Sequence, residues 1–147
     1  MKVVGNLKYR TLFSGLGVAS VTPFKSNFSV DELAIQNICN FFIKSKVSFV
    51  VVQGTTGESV TLSDNEKEIV NDFFIKNLYS KIPLVLGIGS NNTNEIISKL
   101  KSVDLSHFDA IMSVCPYYSK PSQSGIIKHF EKVSEHSSKP IILYNVP

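Results

Sequence analysis

The sequence has few cysteines and no block of like charges. Its 147 residues include two cysteines, Cys39 and Cys115, which lie far apart and lack CxxC spacing. Such a pair argues against a disulfide or a metal pair, and we expect two buried, reduced thiols. The formal net charge of +3 comes from 15 basic and 12 acidic residues spread along the chain. This mild, dispersed charge does not indicate a nucleic-acid surface.

Signals for secretion and for membrane insertion are also missing. The first ten residues, MKVVGNLKYR, lack the apolar region of a signal peptide. No segment approaches the ~20 apolar residues that a membrane-spanning helix needs. We therefore expect a soluble, cytoplasmic protein.

Five apolar segments, typical of strands, alternate with four segments of helical period. The predicted strands are Leu16–Thr22, Ser48–Gln53, Ile82–Gly89, Phe108–Pro116 and Pro140–Val146. The second is apolar enough to be buried on both faces. Strands that alternate with helices in this way predict a parallel sheet built from βαβ units.

The helices between these strands have recognisable start signals. Capping-box spacing is present at Ser29 with Glu32 and at Ser63 with Glu66, and Asn92 with Glu95 begins the third helix. In the first helix, Ile35, Ile38, Cys39 and Phe42 recur at the spacing of one buried face. The fourth helix is predicted from Ser122 to Ser137.

The chain stops just after its fifth strand, which leaves two architectures open. One is a complete five-stranded doubly wound domain. The other is the front part of a (β/α) barrel, which typically needs about 250 residues. Both place their ligands beyond the C-terminal ends of the strands.

The second strand is followed by GTTGES, which has the composition of an anion-binding loop. Glycines at 54 and 57 permit backbone angles closed to other residues and let a ligand approach closely. Successive N–H groups in such a turn can bind a carboxylate or a phosphate, although a plain strand-to-helix turn would read similarly. A Walker P-loop is excluded because its lysine is absent. The later GIGSNN lacks the third glycine of a dinucleotide fingerprint.

Tyrosines rather than histidines accompany this loop at the strand ends. Tyr117, Tyr118 and Tyr144 fall there, and hydroxyls of threonine and tyrosine within hydrogen-bond reach can pass a proton without a histidine. Core packing is the ordinary alternative for each tyrosine. His129 and His136 lie seven residues apart, about 10 Å along a helix, too far for one metal, and we expect both on the helix surface. His107 shows no partner pattern.

Taken in order, GTTGES, PYYSKPSQSG and ILYNVP resemble the dihydrodipicolinate synthases, which are pyruvate-dependent class I aldolases and lyases. The resemblance runs from about Phe13 to Pro147. It implies a (β/α)8 barrel, of which residues 1–147 would supply the first five strands and four helices. The family condenses pyruvate with L-aspartate-4-semialdehyde in lysine biosynthesis through a Schiff-base lysine and without a cofactor. N-acetylneuraminate lyases, which usually lack the YYxKPxQ run, are the second choice.

The resemblance also implies roles for individual residues. Thr56 would hold the pyruvate carboxylate, and Tyr144 would donate and accept the proton near the imine. Thr55 and Tyr118 would complete a proton relay, with Tyr118 reaching a neighbouring subunit's site in a homo-oligomer, by resemblance a tetramer.

One essential residue of that family has no counterpart here. A Schiff-base lysine must be desolvated on an apolar strand so that its amine is neutral. Four candidate lysines, Lys46, Lys81, Lys120 and Lys139, all fall in predicted loops or flanks. The family's lysine would come one βα unit beyond Pro147. We therefore expect a truncated N-terminal part of the barrel that cannot catalyse the condensation alone.

Four further positions bear on whether lysine inhibits the complete enzyme. The resemblance places an effector site at Ser59, Asn91, Glu95 and Tyr117. Where lysine-inhibited members often carry histidines, this chain has Asp64 and Lys67. An ammonium at Lys67 would disfavour a cationic effector, so weak or absent inhibition is expected.

Two alternative functions of a different class remain open besides the lyase. One is a non-catalytic α/β domain that binds a small anion at the GTTG loop. The other is a half-barrel that assembles with a separate chain carrying the remaining strands.

Overall fold

The protein forms a five-stranded parallel sheet with helices between successive strands. The computed structural model describes residues 11–146, so the first ten residues and Pro147 lie outside the described part. The strands are β1 (Gly17–Ala19), β2 (Phe49–Val52), β3 (Leu84–Gly87), β4 (Ala110–Val114) and β5 (Ile141–Tyr144). The helices are α1 (Glu32–Lys44), α2 (Asp64–Leu78), α3 (Thr93–Ser102) and α4 (Gln123–His136). All nine predicted elements are confirmed with shorter bounds.

The order of the strands decides between the two predicted architectures. They lie as β1-β2-β3-β4-β5, each parallel to the next. A doubly wound sheet reverses its order at a switch point and has helices on both faces. Right-handed crossovers between sequential strands instead keep the helices on one face. The doubly wound alternative is therefore wrong, and the chain forms the first five strands and four helices of a (β/α) barrel.

The main core lies between the sheet and the helices. Every helix contributes to it, for example Ile35, Phe74, Ile96 and Val133. Each buried side chain of this size contributes roughly 1.5–3 kcal/mol. A smaller cluster on the opposite face of the sheet is centred on Val51, Val85 and Ala110. The prediction that β2 is buried on both faces is thus confirmed.

The predicted start signals are correct for two helices and wrong for one. Ser63 and Glu66 form the capping box of α2, with the Ser63 N–H donating to Glu66 Oε2 at 2.8 Å. Asn92 caps α3 through its side chain. Ser29, however, does not cap α1, because its hydroxyl donates to Asn27 Oδ1 at 2.8 Å. Asp31 is the cap, and its Oδ1 accepts from the Ala34 N–H at 3.0 Å.

The two cysteines are buried and free, as predicted. Burial raises the pKa of the Cys39 thiol to about 12, although Lys81 opposes the shift. A thiol with such a pKa stays protonated and unreactive at neutral pH.

The prediction that both helix-α4 histidines are surface groups is wrong for His129. Its side chain is 5% exposed, and its Nδ1 lies 2.9 Å from Thr93 Oγ1. His129 precedes the buried Val133 by four residues, so both lie on the inward face of α4. Desolvation lowers the pKa of His129 and favours its neutral form. His136 is exposed, as expected.

No helix within residues 11–146 is long and apolar enough to cross a membrane.

Candidate active site

The candidate site lies at the edge of the sheet where all five strands end. Because the strands are parallel, the loops that follow them meet on one side, where β/α proteins bind ligands. The residues selected from the sequence follow β2 (Thr55, Thr56, Ser59), β3 (Asn91, Glu95) and β4 (Tyr117, Tyr118), and Tyr144 ends β5. The fold therefore brings all eight to the same edge.

The GTTG segment forms one short 3-10 turn, Thr55–Gly57. Two bonds close it: the Gly57 N–H donates to Gly54 O and the Glu58 N–H to Thr55 O, each at 3.0 Å. Thr55 and Thr56 are exposed, and their N–H groups have no acceptor among the described residues. Two adjacent free N–H groups beside two hydroxyls match the chemistry that a carboxylate needs.

The glycines of this turn leave little room for a Cβ and do not have unusual backbone angles. Positive φ angles occur at the flanking residues instead, Gln53 (58°) and Glu58 (55°). The expectation of special angles at residues 54 and 57 is therefore wrong. A Cβ on Gly57 would lie 3.1 Å from Ser20 O, and one on Gly54 would lie 3.3 Å from the Met112 methyl. A Cβ at either position would therefore make a tight contact.

A buried hydrogen bond fixes the turn to the loop after β1. The Thr22 hydroxyl donates to Gly57 O at 2.8 Å, and Thr22 is 4% exposed. No motif in the sequence indicated a role for Thr22. The Thr-Pro pair directly after the first strand was the available signal, but its partner lies 35 residues away.

The tyrosines stand further out than the threonine turn. Tyr118 is 87% exposed and Tyr144 37% exposed. No hydrogen bond joins their hydroxyls to each other or to Thr55 within residues 11–146, so the proton relay stays a prediction. The backbone around Tyr118 is nevertheless fixed. Asn91 Oδ1 accepts from the N–H groups of Tyr117 at 2.9 Å and Tyr118 at 2.8 Å.

A cavity of about 670 Å³ lies between α2 and α3, next to the turn. Three predicted effector residues line it: Ser59, Glu95 and Tyr117. Asn91, the fourth, is not among the lining residues, and its carboxamide oxygen is engaged by the β4–α4 loop. The effector role of the four residues stays a prediction.

Charged groups set the electrostatics of this cavity. Lys67 and Asp64 both line it, with Lys67 Nζ 3.7 Å from Asp64 Oδ1. Glu95 accepts from the Ser90 hydroxyl at 2.7 Å and pairs with Lys99 at 3.0 Å. These two contacts lower the pKa of the Glu95 carboxyl, with the Ser90 bond as the larger cause. Each wall of the cavity thus carries a paired anion and cation.

Lysine is absent from β1 to β5, as the sequence predicted. Among residues 11–146, no three His, Cys, Asp or Glu side chains converge as a metal site.

The described residues form five strands and four helices of a β/α barrel, with the GTTG turn and three tyrosines at its ligand edge, and this arrangement places the chain in the class of β/α-barrel proteins. A model of the dihydrodipicolinate synthetase family matches residues 12–147. The 4-hydroxy-tetrahydrodipicolinate synthase of Flavobacterium psychrophilum is 53% identical over 92% of the chain and 46% of its own length.

Solved structures agree with the sequence relatives. A dihydrodipicolinate synthase crystal structure superposes with a TM-score of 0.85 at 41% identity, covering 92% of this chain and 46% of that one. An N-acetylneuraminate lyase from Mycoplasma synoviae gives 0.81 at 29% identity, covering 94% and 48%. The chain belongs to the dihydrodipicolinate synthetase family, and it spans about half the length of the curated relatives it matches.

Proposed function

We propose that this chain is the N-terminal part, residues 1–147, of a single-domain Schiff-base lyase. The complete protein condenses pyruvate with L-aspartate-4-semialdehyde and yields 4-hydroxy-tetrahydrodipicolinate for lysine and diaminopimelate biosynthesis in the cytoplasm. The observation that carries the proposal is the exposed turn of Thr55 and Thr56, with free N–H groups at the ligand edge of a family-matched barrel.

Within this proposal the turn holds the pyruvate carboxylate. Thr56 donates its hydroxyl and the turn its free N–H groups, which satisfies both carboxylate oxygens. Tyr144 then exchanges a proton with the imine or carbinolamine, for which a phenol with a pKa near 10 is suited. Thr55 and Tyr118 pass that proton on. No cofactor takes part.

The exposure of Tyr118 supports a role at a subunit contact. At 87% exposed it has room to enter a neighbour's site, and a homo-oligomer, a tetramer in this proposal, would supply that neighbour. The Schiff-base lysine lies outside this chain, so residues 1–147 alone bind a carboxylate at most and do not catalyse the condensation.

Borohydride trapping tests the proposal directly. The protein from its native source is incubated with pyruvate, reduced with borohydride and weighed by intact mass spectrometry. A chain about twice the length of this one, carrying one reduced pyruvate adduct, is the expected result. A 16.3 kDa chain without an adduct would overturn the proposal, and a sample reduced without pyruvate is the control.

A further inference from the structure

Gln53, which joins β2 to the GTTG turn, has an unusual backbone conformation. Its φ of 58° lies in the left-handed region, which residues with a side chain rarely adopt. The residue is also buried, at 7% exposed. Such strain persists only where the surroundings over-determine it, and it clusters at functional sites. The question is what holds Gln53 there.

Two hydrogen bonds hold its carboxamide on α2. Gln53 Nε2 donates to the Lys67 carbonyl oxygen at 2.9 Å and to Asn71 Oδ1 at 2.6 Å. Lys67 and Asn71 are four residues apart, so both acceptors lie on one face of the helix. The helix therefore fixes where the end of β2 can lie.

The backbone of Gln53 is confined from the other side by β3. A Cβ on Gly87 would lie 2.3 Å from Gln53 O and 3.0 Å from Gly54 N. The peptide between Gln53 and Gly54 thus packs directly against the backbone of β3. Thr55 and Thr56 follow at once, so any shift of Gln53 moves the turn.

We propose that Gln53 is a positioning residue that fixes the GTTG turn to α2 and so aims its hydroxyls and N–H groups at the carboxylate. It acts through Thr55 and Thr56 and does not touch the ligand. This inference rests on the proposed function for its consequence in catalysis. Its structural half, that the carboxamide of Gln53 orders the turn, is tested independently.

Amide hydrogen exchange on the complete protein tests the structural half. Gln53→Met keeps the length of the side chain and removes both donated bonds. The N–H groups of Gly57 and Glu58, which close the turn, should then exchange about 5- to 30-fold faster, the effect of losing one or two net hydrogen bonds. Gln36→Met on the exposed face of α1 is the matched control and should leave both rates unchanged.

Asn71 offers a second pair of variants should Gln53→Met fail to fold. Asn71→Ala removes one acceptor and should speed the same two amides by about fivefold. Asn71→Asp keeps an acceptor for Gln53 Nε2 and should restore the original protection. Wild-type rates in Asn71→Ala, or equal acceleration in both variants, would overturn the proposal.

Kinetics of the complete protein test the catalytic half. A misplaced turn weakens the hold on pyruvate, so Gln53→Met should raise the KM for pyruvate about 5- to 30-fold. The KM for aspartate semialdehyde should stay within about twofold. An unchanged KM for pyruvate would overturn the inference. A wild-type protein that forms no pyruvate adduct would overturn the proposed function instead, while the exchange result would still stand.

Discussion

The bond between Thr22 and Gly57 gives the sharpest test of how the GTTG turn is held. Thr22→Val keeps the shape of the side chain and removes the hydroxyl that donates to Gly57 O at 2.8 Å. Thr22 is 4% exposed, so the carbonyl oxygen is left without a partner and out of water. An unsatisfied buried group costs about 1–3 kcal/mol, and we expect a loss near the middle of that range.

A second threonine, in the segment that follows the GTTG turn, supplies the control. The Thr61 hydroxyl donates to Glu58 O at 2.9 Å, but this bond is exposed. In Thr61→Val, water replaces the lost donor, so the cost should stay below about 0.5 kcal/mol. The pair therefore compares the same chemical change in buried and exposed surroundings.

Urea denaturation of the 147-residue chain, followed by circular dichroism, measures both variants. The midpoint should fall in Thr22→Val with an unchanged m-value, which reports lost stability rather than altered compactness. Thr22→Ser, which keeps the hydroxyl, should recover most of the loss. Equal costs for Thr22→Val and Thr61→Val would refute the reasoning, since burial would then play no part.

Three further predictions concern the caps, the buried histidine and the cavity. Ser63→Ala should lower the free energy of unfolding in urea by about 1 kcal/mol. Ser29→Ala should leave it almost unchanged, and a loss similar to that of Ser63→Ala would show that Ser29 does cap α1. By nuclear magnetic resonance, the pKa of His129 should lie below its usual 6.5 because burial desolvates the imidazole. Because the folded pKa of His129 is lowered, its contribution to stability is present above pH 6.5 and is lost as the pH falls through the folded value. Condensation by the complete protein should be insensitive to micromolar lysine because Lys67 lines the cavity, and sensitive inhibition would contradict this.

Most of the helices and strands could be predicted from the spacing of apolar residues in the sequence. The inward residues of α1 and the buried run of β2 repeat at short spacing, so each element could be identified from its own residues. The cap of α1 was misplaced because Ser29 had the right spacing but found a nearer partner in Asn27. His129 was wrongly predicted to be on the surface, because its distance from His136 excludes a shared metal but does not show which face of α4 points inward.

The positions of the candidate residues at the strand ends were predictable from the sequence, but the contacts that support them were not. GTTGES and the tyrosines could be read locally, whereas Thr22, Gln53 and the acceptor role of Asn91 depend on partners distant in the chain. Thr22 meets Gly57 across 35 residues, and Asn91 meets Tyr118 across 27. Those pairings follow from the order of the strands, which the motifs alone left open.

The hydrogen bonds that hold the GTTG turn show which step of the proposed reaction this chain could perform alone. Bonds from Thr22, Gln53 and Asn91 tie the loops after β1, β2, β3 and β4 to one another or to α2. Each of these bonds joins residues within 11–146. The strands in that range carry no lysine, so none of them presents the desolvated amine that a Schiff base needs. Under the proposed function, we therefore expect residues 1–147 to hold a carboxylate weakly and to leave pyruvate unmodified, because the nucleophilic attack on its carbonyl needs the lysine that the proposal places outside this chain.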